Sequence, residues 1–289
     1  MTRYCRPVPR FRLAVALLVP DPLSGEVDGL RRAFGDPSRD RIAPHITLVP
    51  PVNVRDFDLH AALSVVRGAA GRARPIDLRL GPLRTFPGPG HVGYLSVGAE
   101  PPALEVLRRL RADVLQPPLE RRIDREFVPH VTVTRGLDAD RLAAVLEASA
   151  DFRDVETRIG SVHLLQERHD GDRRRWRPIA DVALGAPVIV GRGGLPVELT
   201  PGDLVDPEAL DTSGASPAEV PPGARPLVVA ARSEGAVVGV ARGWTAGPVS
   251  ELADVWVAEA DSGIERHLRA AWLSAAAVRG SAPPVRSDH

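Results

Sequence analysis

The sequence predicts a duplicated fold of strands and helices whose two copies line one groove, followed by a smaller region of different texture. Three observations carry this. A pentapeptide of the form proline, histidine, aliphatic, threonine, aliphatic occurs twice, as PHITL at Pro44–Leu48 and PHVTV at Pro129–Val133. Each copy sits at the same place in a strand, helix, HxT strand, helix, strand succession, with 34 positions from Phe11 to His45 and 38 from Val92 to His130. After Leu184 the chain turns rich in glycine, then in proline, serine and acidic residues.

The elements follow in order. Arg12 to Val19 is an apolar, β-type run, and Asp21-Pro22 opens a short helix from Val27 to Phe34 that stops near Gly35. The first pentapeptide is a strand, its proline favouring extended geometry at Ala43, as Pro129 does at Val128. Successive strand side chains point to opposite faces. His45 and Thr47 therefore share one face, as do His130 and Thr132, while Ile46, Leu48, Val131 and Val133 turn to a core. Asp56 or Asp58 caps a helix reaching Ala69, and Ile76 to Leu80 alternates as a strand. Phe86 to Gly90 is a turn cluster.

The second copy begins with the strand Val92 to Val97 and an amphipathic helix from Pro101 to Leu115. An arginine-rich connection leads to the PHVTV strand, and Asp138 opens a helix through Ala148. Val155 to Leu165 and Trp176 to Leu184 read as strands joined by a polar loop, Glu167 to Arg175. Beyond the glycine- and proline-rich stretch, Leu227 to Ala231 and Val237 to Arg242 flank Glu234-Gly235 as a hairpin. Leu252 to Ala258 is a strand, and Ile264 to Val278 a helix.

Composition narrows the chemistry. The 289 residues carry a formal net charge of zero, so phosphate recognition must be local rather than a property of the whole surface. All 37 basic residues are arginine, which excludes a P-loop lysine, a Schiff-base lysine and the kinase lysine. The single cysteine, Cys5, leaves no intrachain disulfide and no cysteine-based zinc site. The apolar stretch Phe11 to Pro20 is too short to span a bilayer and lacks a small-residue cleavage site, so the expected location is the cytoplasm.

Two imidazoles across a groove can flank a phosphorus centre. One, neutral, takes a proton from the attacking oxygen; the other, protonated, gives one to the leaving oxygen. Each threonine hydroxyl can hold a non-bridging phosphate oxygen. The scheme needs no metal and no cofactor, and it suits a phosphodiester with an internal leaving group. The remaining histidines form no ligand-spaced cluster and there is no HExxH. Which histidine is the base stays open. Arg135 reads either as a phosphate-binding group or as a solvated strand-end charge, and Tyr94 either as a base-stacking ring or as core. Arg121, Arg122 and Arg125 make a basic loop ahead of His130, either an RNA-backbone contact or a solvated run.

From about Arg10 to Gly185 the chain resembles the 2H phosphoesterase superfamily, in particular its bacterial 2'-5' RNA ligase-like and cyclic phosphodiesterase group. The likeness rests on His45-Ile46-Thr47 and His130-Val131-Thr132, on LRTFPGPG from Leu83 to Gly90, on VGYLSV, and on the PHVTVTR run ending at Arg135. It implies an α+β, bilobal fold in which two antiparallel-rich sheets line a central, water-filled cleft. It implies metal-independent opening of 2',3'-cyclic phosphate ends of RNA or of a small cyclic nucleotide, with reversible 2'-5' joining also known in the family. His45 and His130 become the acid/base pair, and Thr47 and Thr132 the phosphate clamps.

From about Pro226 the chain is similar to GNAT acetyltransferases in the order hairpin, strand, glycine-containing turn, helix. The turn Ala258 to Glu265 is short, carries carboxylates, and lacks the basic residue and second glycine that would hold a pyrophosphate. The region reads as a degenerate, small α/β relative kept for packing or for a protein partner of unknown kind. The expected domains are 1–185, a linker over 186–225, the small domain over 226–280, and a disordered tail over 281–289. The rival functions are a non-catalytic RNA-end binder using the same groove, and an interaction module acting through the C-terminal region.

Overall fold

A computed structural model describes residues 9–86, 91–148, 154–186, 188–190, 197–202, 220–259 and 263–281. The chain divides into two compact units, residues 1–178 and 179–289.

In the first unit the duplicated order is present. The first copy is β1 (Arg10–Leu18), α1 (Leu23–Ala33), β2 (His45–Arg55), α2 (Leu59–Arg72) and β3 (Ile76–Phe86). The second is β4 (His91–Gly98), α3 (Pro101–Val114), β5 (His130–Leu137), α4 (Ala139–Ala148) and β6 (Val155–Ile159). Two strands follow, β7 (Ser161–Asp170) and β8 (Arg173–Ala183), the latter running across the boundary between the units. α4 begins as the sequence implies, with the Arg141 backbone N–H donating to Asp138 Oδ1 at 2.8 Å.

The strands form one eight-stranded sheet in the order β6-β3-β4-β5-β2-β1-β7-β8. One continuous sheet thus stands in place of the two sheets that the resemblance implies. The two four-stranded halves join where β2 meets β5 antiparallel, through the pair Ile46↔Val131. Both aliphatics are buried, at 1% and 0% exposure, so the seam between the halves is part of the core. The copies also interlock: β3, from the first copy, pairs with β4 and β6 of the second, while β7 pairs with β1.

Two further expectations change. Val155 to Leu165 is two strands, broken at Gly160, that go to opposite sides of the sheet: β6 beside β3 and β7 beside β1. The stretch Glu167 to Arg175 is mostly strand. Gly171, at φ +59, supplies the left-handed conformation that lets β7 turn into β8 within two residues.

One sheet face carries the main core. Leu13, Val15 and Leu17 of β1, Leu48 of β2 and Val133 of β5 are fully buried, as are Leu63 and Val66 of α2 and Leu107 of α3. Each such side chain contributes about 1.5–3 kcal/mol. The opposite face holds the paired histidines.

The second unit is a separate five-stranded antiparallel meander. Its strands are β9 (Val188–Val190), β10 (Val197–Gly202), β11 (Arg225–Ser233), β12 (Ala236–Ala246) and β13 (Val249–Val257), and the order is β13-β12-β11-β10-β9. The turn Glu234-Gly235, with φ of +50 and +86, makes the expected hairpin. β9 and β10 lie inside the stretch expected as a linker; Val197 and Leu199, alternating along β10, are buried in the core of this unit, and Val190 of β9 packs against that core. α5 (Ile264–Val278) packs Leu268, Trp272 and Ala276 on Leu227, Val229, Ala231 and Ala241. Trp272 Nε1–H donates to the Leu227 carbonyl at 2.9 Å. Gly243 permits this packing, because a Cβ there would meet the indole at 2.6 Å. The acetyltransferase-like turn falls partly at 260–262, outside the described residues, as does the tail beyond Ser281. Among the described residues no helix is long and apolar enough to cross a membrane.

Candidate active site

The seam of the sheet brings the two pentapeptides together. With Ile46 opposite Val131 in an antiparallel pair, His45 stands across from Thr132 and Thr47 across from His130. All four polar side chains point to the same face, the one opposite Ile46 and Val131. Directly opposed residues have Cβ atoms about 4.5–5.5 Å apart, so the motifs form one diagonal constellation. Each of the four keeps partial exposure.

The proline of each pentapeptide has a visible consequence. His45 Nδ1 lies 2.7 Å from the Ala43 carbonyl oxygen, and His130 Nδ1 lies 2.7 Å from the Val128 carbonyl oxygen. A carbonyl oxygen only accepts, so Nδ1–H donates in both rings and Nε2 carries the lone pair in the neutral form. The acceptor is in each case the residue before the proline, whose extended geometry the proline enforces.

Both imidazoles are easier to deprotonate than usual. His45 is lowered to about 4, first by burial, against the raising effect of the Ala43 hydrogen bond, and further by the positive charges of Arg31 and Arg135 and by His130. His130 is also lowered, first by burial and then by Arg135, against the Val128 hydrogen bond. At neutral pH both rings of the free protein are neutral.

A cavity of about 350 Å³ opens beside His45. It is lined by His45, Thr47, Thr132 and Arg135, and continues past Arg31 and Arg41 to Trp176. Arg135 thus reaches the site, and its Nη2 donates to Thr132 Oγ1 over a long 3.4 Å. Arg31 is almost wholly buried. It donates to Asp36 at 2.8 Å, to Asp28 at 3.0 Å and to the Ile42 carbonyl at 2.9 Å, which ties the loop before His45 to α1.

The other side is closed by aromatic rings. Tyr94 stacks on Phe86 with centroids 4.0 Å apart, and the two meet the His130 ring edge-on at 4.9 Å (Phe86) and 5.4 Å (Tyr94). At 7% exposure Tyr94 is packing that holds His130 rather than an open stacking face for a base; its ring is already occupied by Phe86. Arg121 donates to the Pro51 carbonyl at 2.7 Å and Arg122 pairs with Asp124 at 2.9 Å, while Arg125 is exposed and stays solvated. Cys5 lies outside the described residues. Among the described residues no group of three or more His, Cys, Asp or Glu side chains could hold a metal ion.

Sequence reasoning missed Arg31, Phe86 and Trp176. Nothing in the local pattern of Arg31 or Trp176 marks them, since each reaches the site through helix packing or strand pairing that its own sequence neighbours do not show. A signal existed only for Phe86, which opens the FPGPG turn and alternates with Arg84 along β3.

Residues 19–171 match the sequence model of the 2'-5' RNA ligase superfamily. A Bacillus pumilus protein whose name assigns it provisionally to the phosphoesterases is 31% identical over 163 residues, covering 56% of this chain and 92% of that protein. A similarly named Staphylococcus aureus protein is 26% identical, covering 58% of this chain and 95% of its own length. Among solved structures, Escherichia coli LigT complexed with 3'-AMP is 18% identical, with TM-score 0.45 over 61% of this chain and 99% of that one. A Thermus thermophilus protein is 21% identical, with TM-score 0.44 over 60% of this chain and 97% of that one.

Proposed function

The chain belongs to the 2'-5' RNA ligase superfamily, and on that footing we propose that it is a phosphoesterase that opens 2',3'-cyclic phosphates at RNA ends or on nucleotides by two-histidine acid/base catalysis. One observation supports this above the rest: two imidazoles, each with Nδ1 fixed on a backbone carbonyl, share one sheet face with two threonine hydroxyls set diagonally across the seam.

The chemistry follows from the rings. A cyclic phosphate anion seated between them raises both pKa values, while a proton on either ring disfavours one on the other. The loaded site therefore holds one proton on two histidines. His45, the more strongly lowered ring, takes the base role: its Nε2 receives a proton from water as the water oxygen bonds to phosphorus. His130 gives its Nε2 proton to the ribose oxygen whose bond to phosphorus breaks. The product is a ring-opened phosphomonoester, and solvent exchange resets the two rings. Thr47 and Thr132 donate to non-bridging oxygens, and Arg135 adds positive charge where negative charge builds. A ribose hydroxyl in place of water makes the same scheme a 2'-5' joining reaction.

For the second unit we retain the reading of an acetyltransferase-derived scaffold that serves packing or a protein partner. A chain ending at Ala186 then keeps its turnover.

The deciding experiment is turnover of an oligonucleotide ending in a 2',3'-cyclic phosphate, in EDTA, beside His45→Ala and His130→Ala. Turnover lost in both variants supports the mechanism. Tight binding of the cyclic end without turnover by the intact protein replaces it with the RNA-end-binding reading.

A further inference from the structure

Each imidazole is held by the carbonyl two residues back, so whatever fixes that carbonyl fixes the ring. Ala43 and Val128 both lie in loops ahead of their strands. For Val128 the local support is slight. Residues 120–129 carry neither helix nor strand, and Val128 is 43% exposed. Pro129 has no N–H with which to carry the pairing of β5 with β2 back past His130. The Val128 carbonyl therefore needs a tie from outside its own strand.

Arg111, in the last turn of α3, supplies one. Its guanidinium carbon lies 4.4 Å over the Phe127 ring, one residue before Val128. Its Nε–H donates to the Leu48 carbonyl at 3.3 Å, one residue after Thr47. A single side chain thus touches the approach to the second motif and the exit from the first. Burial lowers the pKa of this guanidinium, and a cation over an aromatic face is held more firmly as water is removed. Among the described residues no carboxylate pairs with it. The first copy has a counterpart. Arg31, in the last turn of α1, donates to the carbonyl of Ile42, one residue before Ala43. Ile42 and Phe127 each stand three residues before their histidine. The first helix of each copy therefore sends an arginine to the same point ahead of the motif, in one case to a carbonyl and in the other to a ring.

We infer that Arg111 is a positioning residue for His130: through Phe127 it sets the Val128 carbonyl that holds the ring, and through Leu48 it fixes that ring against the first motif. Arg111 is not among the residues lining the cavity, so it acts through His130 and not on substrate. Its effect on rate rests on the phosphoesterase reading, whereas its effect on the ring does not. Phe86 and Tyr94 bear on the faces and edges of the imidazole, but only the Val128 carbonyl selects which nitrogen carries the proton. Loss of that tie frees Nε2 to take the proton, and a ring protonated there in its neutral form cannot accept one at Nε2.

The test compares wild type with Arg111→Met, Arg111→Lys, Phe127→Leu and the double variant Arg111→Met/Phe127→Leu. It reads the ring nitrogens of both histidines by NMR at neutral pH, and turnover of cytidine 2',3'-cyclic phosphate. Methionine keeps an unbranched stem and removes the guanidinium. In Arg111→Met the His130 ring should gain the Nε2–H tautomer, while His45 keeps Nδ1–H because Arg31 still ties its loop. Turnover should fall roughly tenfold in kcat with KM changed less than about twofold, since a displaced ring affects the reaction more than binding. Arg111→Lys, which restores a cation near Phe127, should recover part of both. Phe127→Leu should reproduce the ring signature, and the double variant should lose no more than the worse single one, because the two side chains act through one contact. Unchanged tautomers, or equal change at both histidines, overturn the inference, the second as a general loosening of the fold. Additive losses in the double variant, or an unchanged kcat in Arg111→Met beside an active wild type, overturn it too. If wild type opens no cyclic phosphate, the phosphoesterase reading falls and the ring signals alone decide: a change confined to His130 upholds the positioning role, and any other pattern ends it.

Discussion

The two pentapeptides make the same local structure in different surroundings. Around His45 and around His130 the ring is held identically, by a 2.7 Å hydrogen bond to the carbonyl two residues back. Beyond that the copies diverge. His45 opens onto a cavity and feels the buried Arg31 of α1, whereas His130 is wedged by Phe86 and Tyr94. The pentapeptide therefore encodes which nitrogen is free, a local property. Proton affinity and access come from elements that fold against it, and these give two equal copies unequal surroundings.

The largest effect should come from removing either ring. His45→Ala and His130→Ala are each expected to cut kcat by about 10²- to 10⁴-fold, the usual worth of a general acid or base. The double variant should lose little more than the worse single one, because the rings act as a unit. If one ring proves dispensable, the likeness between the copies is only structural and the acid/base pairing fails.

Next is the wedge on His130. Tyr94→Ala should cost about 3–5 kcal/mol of stability, by analogy with other large buried aromatics, measured by urea unfolding. It should also lower kcat roughly tenfold with KM nearly unchanged, since a loosened ring affects the reaction more than binding. An unchanged kcat would mean that the Val128 hydrogen bond alone holds His130, which would make the two copies more alike than their surroundings suggest.

How much of this could be read from the chain depends on the range of the interaction. The faces of the two motif strands were legible because a period of two is local, and Ile46 and Val131 are buried as alternation requires. The Glu234-Gly235 hairpin and the helix 264–278 were legible for the same reason. The exchange of β3 into the far half of the sheet was not, since pairing with β4 instead of β2 leaves no mark on its own alternation. Arg31 looked like one arginine among many. Its burial follows from Asp36, Ser38 and the Ile42 carbonyl converging on it, a loop geometry no periodicity reveals. Tyr94 carried two readings, and only the stack on Phe86 chose between them.

The stronger lowering of His45 gives a pH prediction. With its pKa near 4, His45 should titrate in the folded protein well below an ordinary imidazole, measured by the NMR shift of its ring carbon proton. The unfolded chain takes up that proton near pH 6.5. Stability linked to the neutral ring is therefore complete above about pH 6.5 and lost as pH falls toward about 4. Urea midpoints of His45→Gln should vary less across that window than those of wild type. An ordinary titration of His45 would remove the argument for its role as base.

The smallest expected effect concerns the cation that each histidine feels. Five residues after His130 the strand supplies Arg135, whereas the matching position after His45 is Pro50, and the nearby cation comes instead from Arg31 on α1. Arg135 is exposed and its bond to Thr132 is long, so Arg135→Gln should raise KM for a cyclic nucleotide only about two- to fivefold, the worth of an exposed charge interaction. Both histidines should titrate upward in that variant, because Arg135 lowers each. Arg31→Gln should move His45 alone, at a larger cost in stability, since it leaves Asp36 buried without its partner. A rise in KM of a hundredfold or more in Arg135→Gln would reverse this ranking and make the second copy, not the cavity beside the first, the principal anchor of the phosphate.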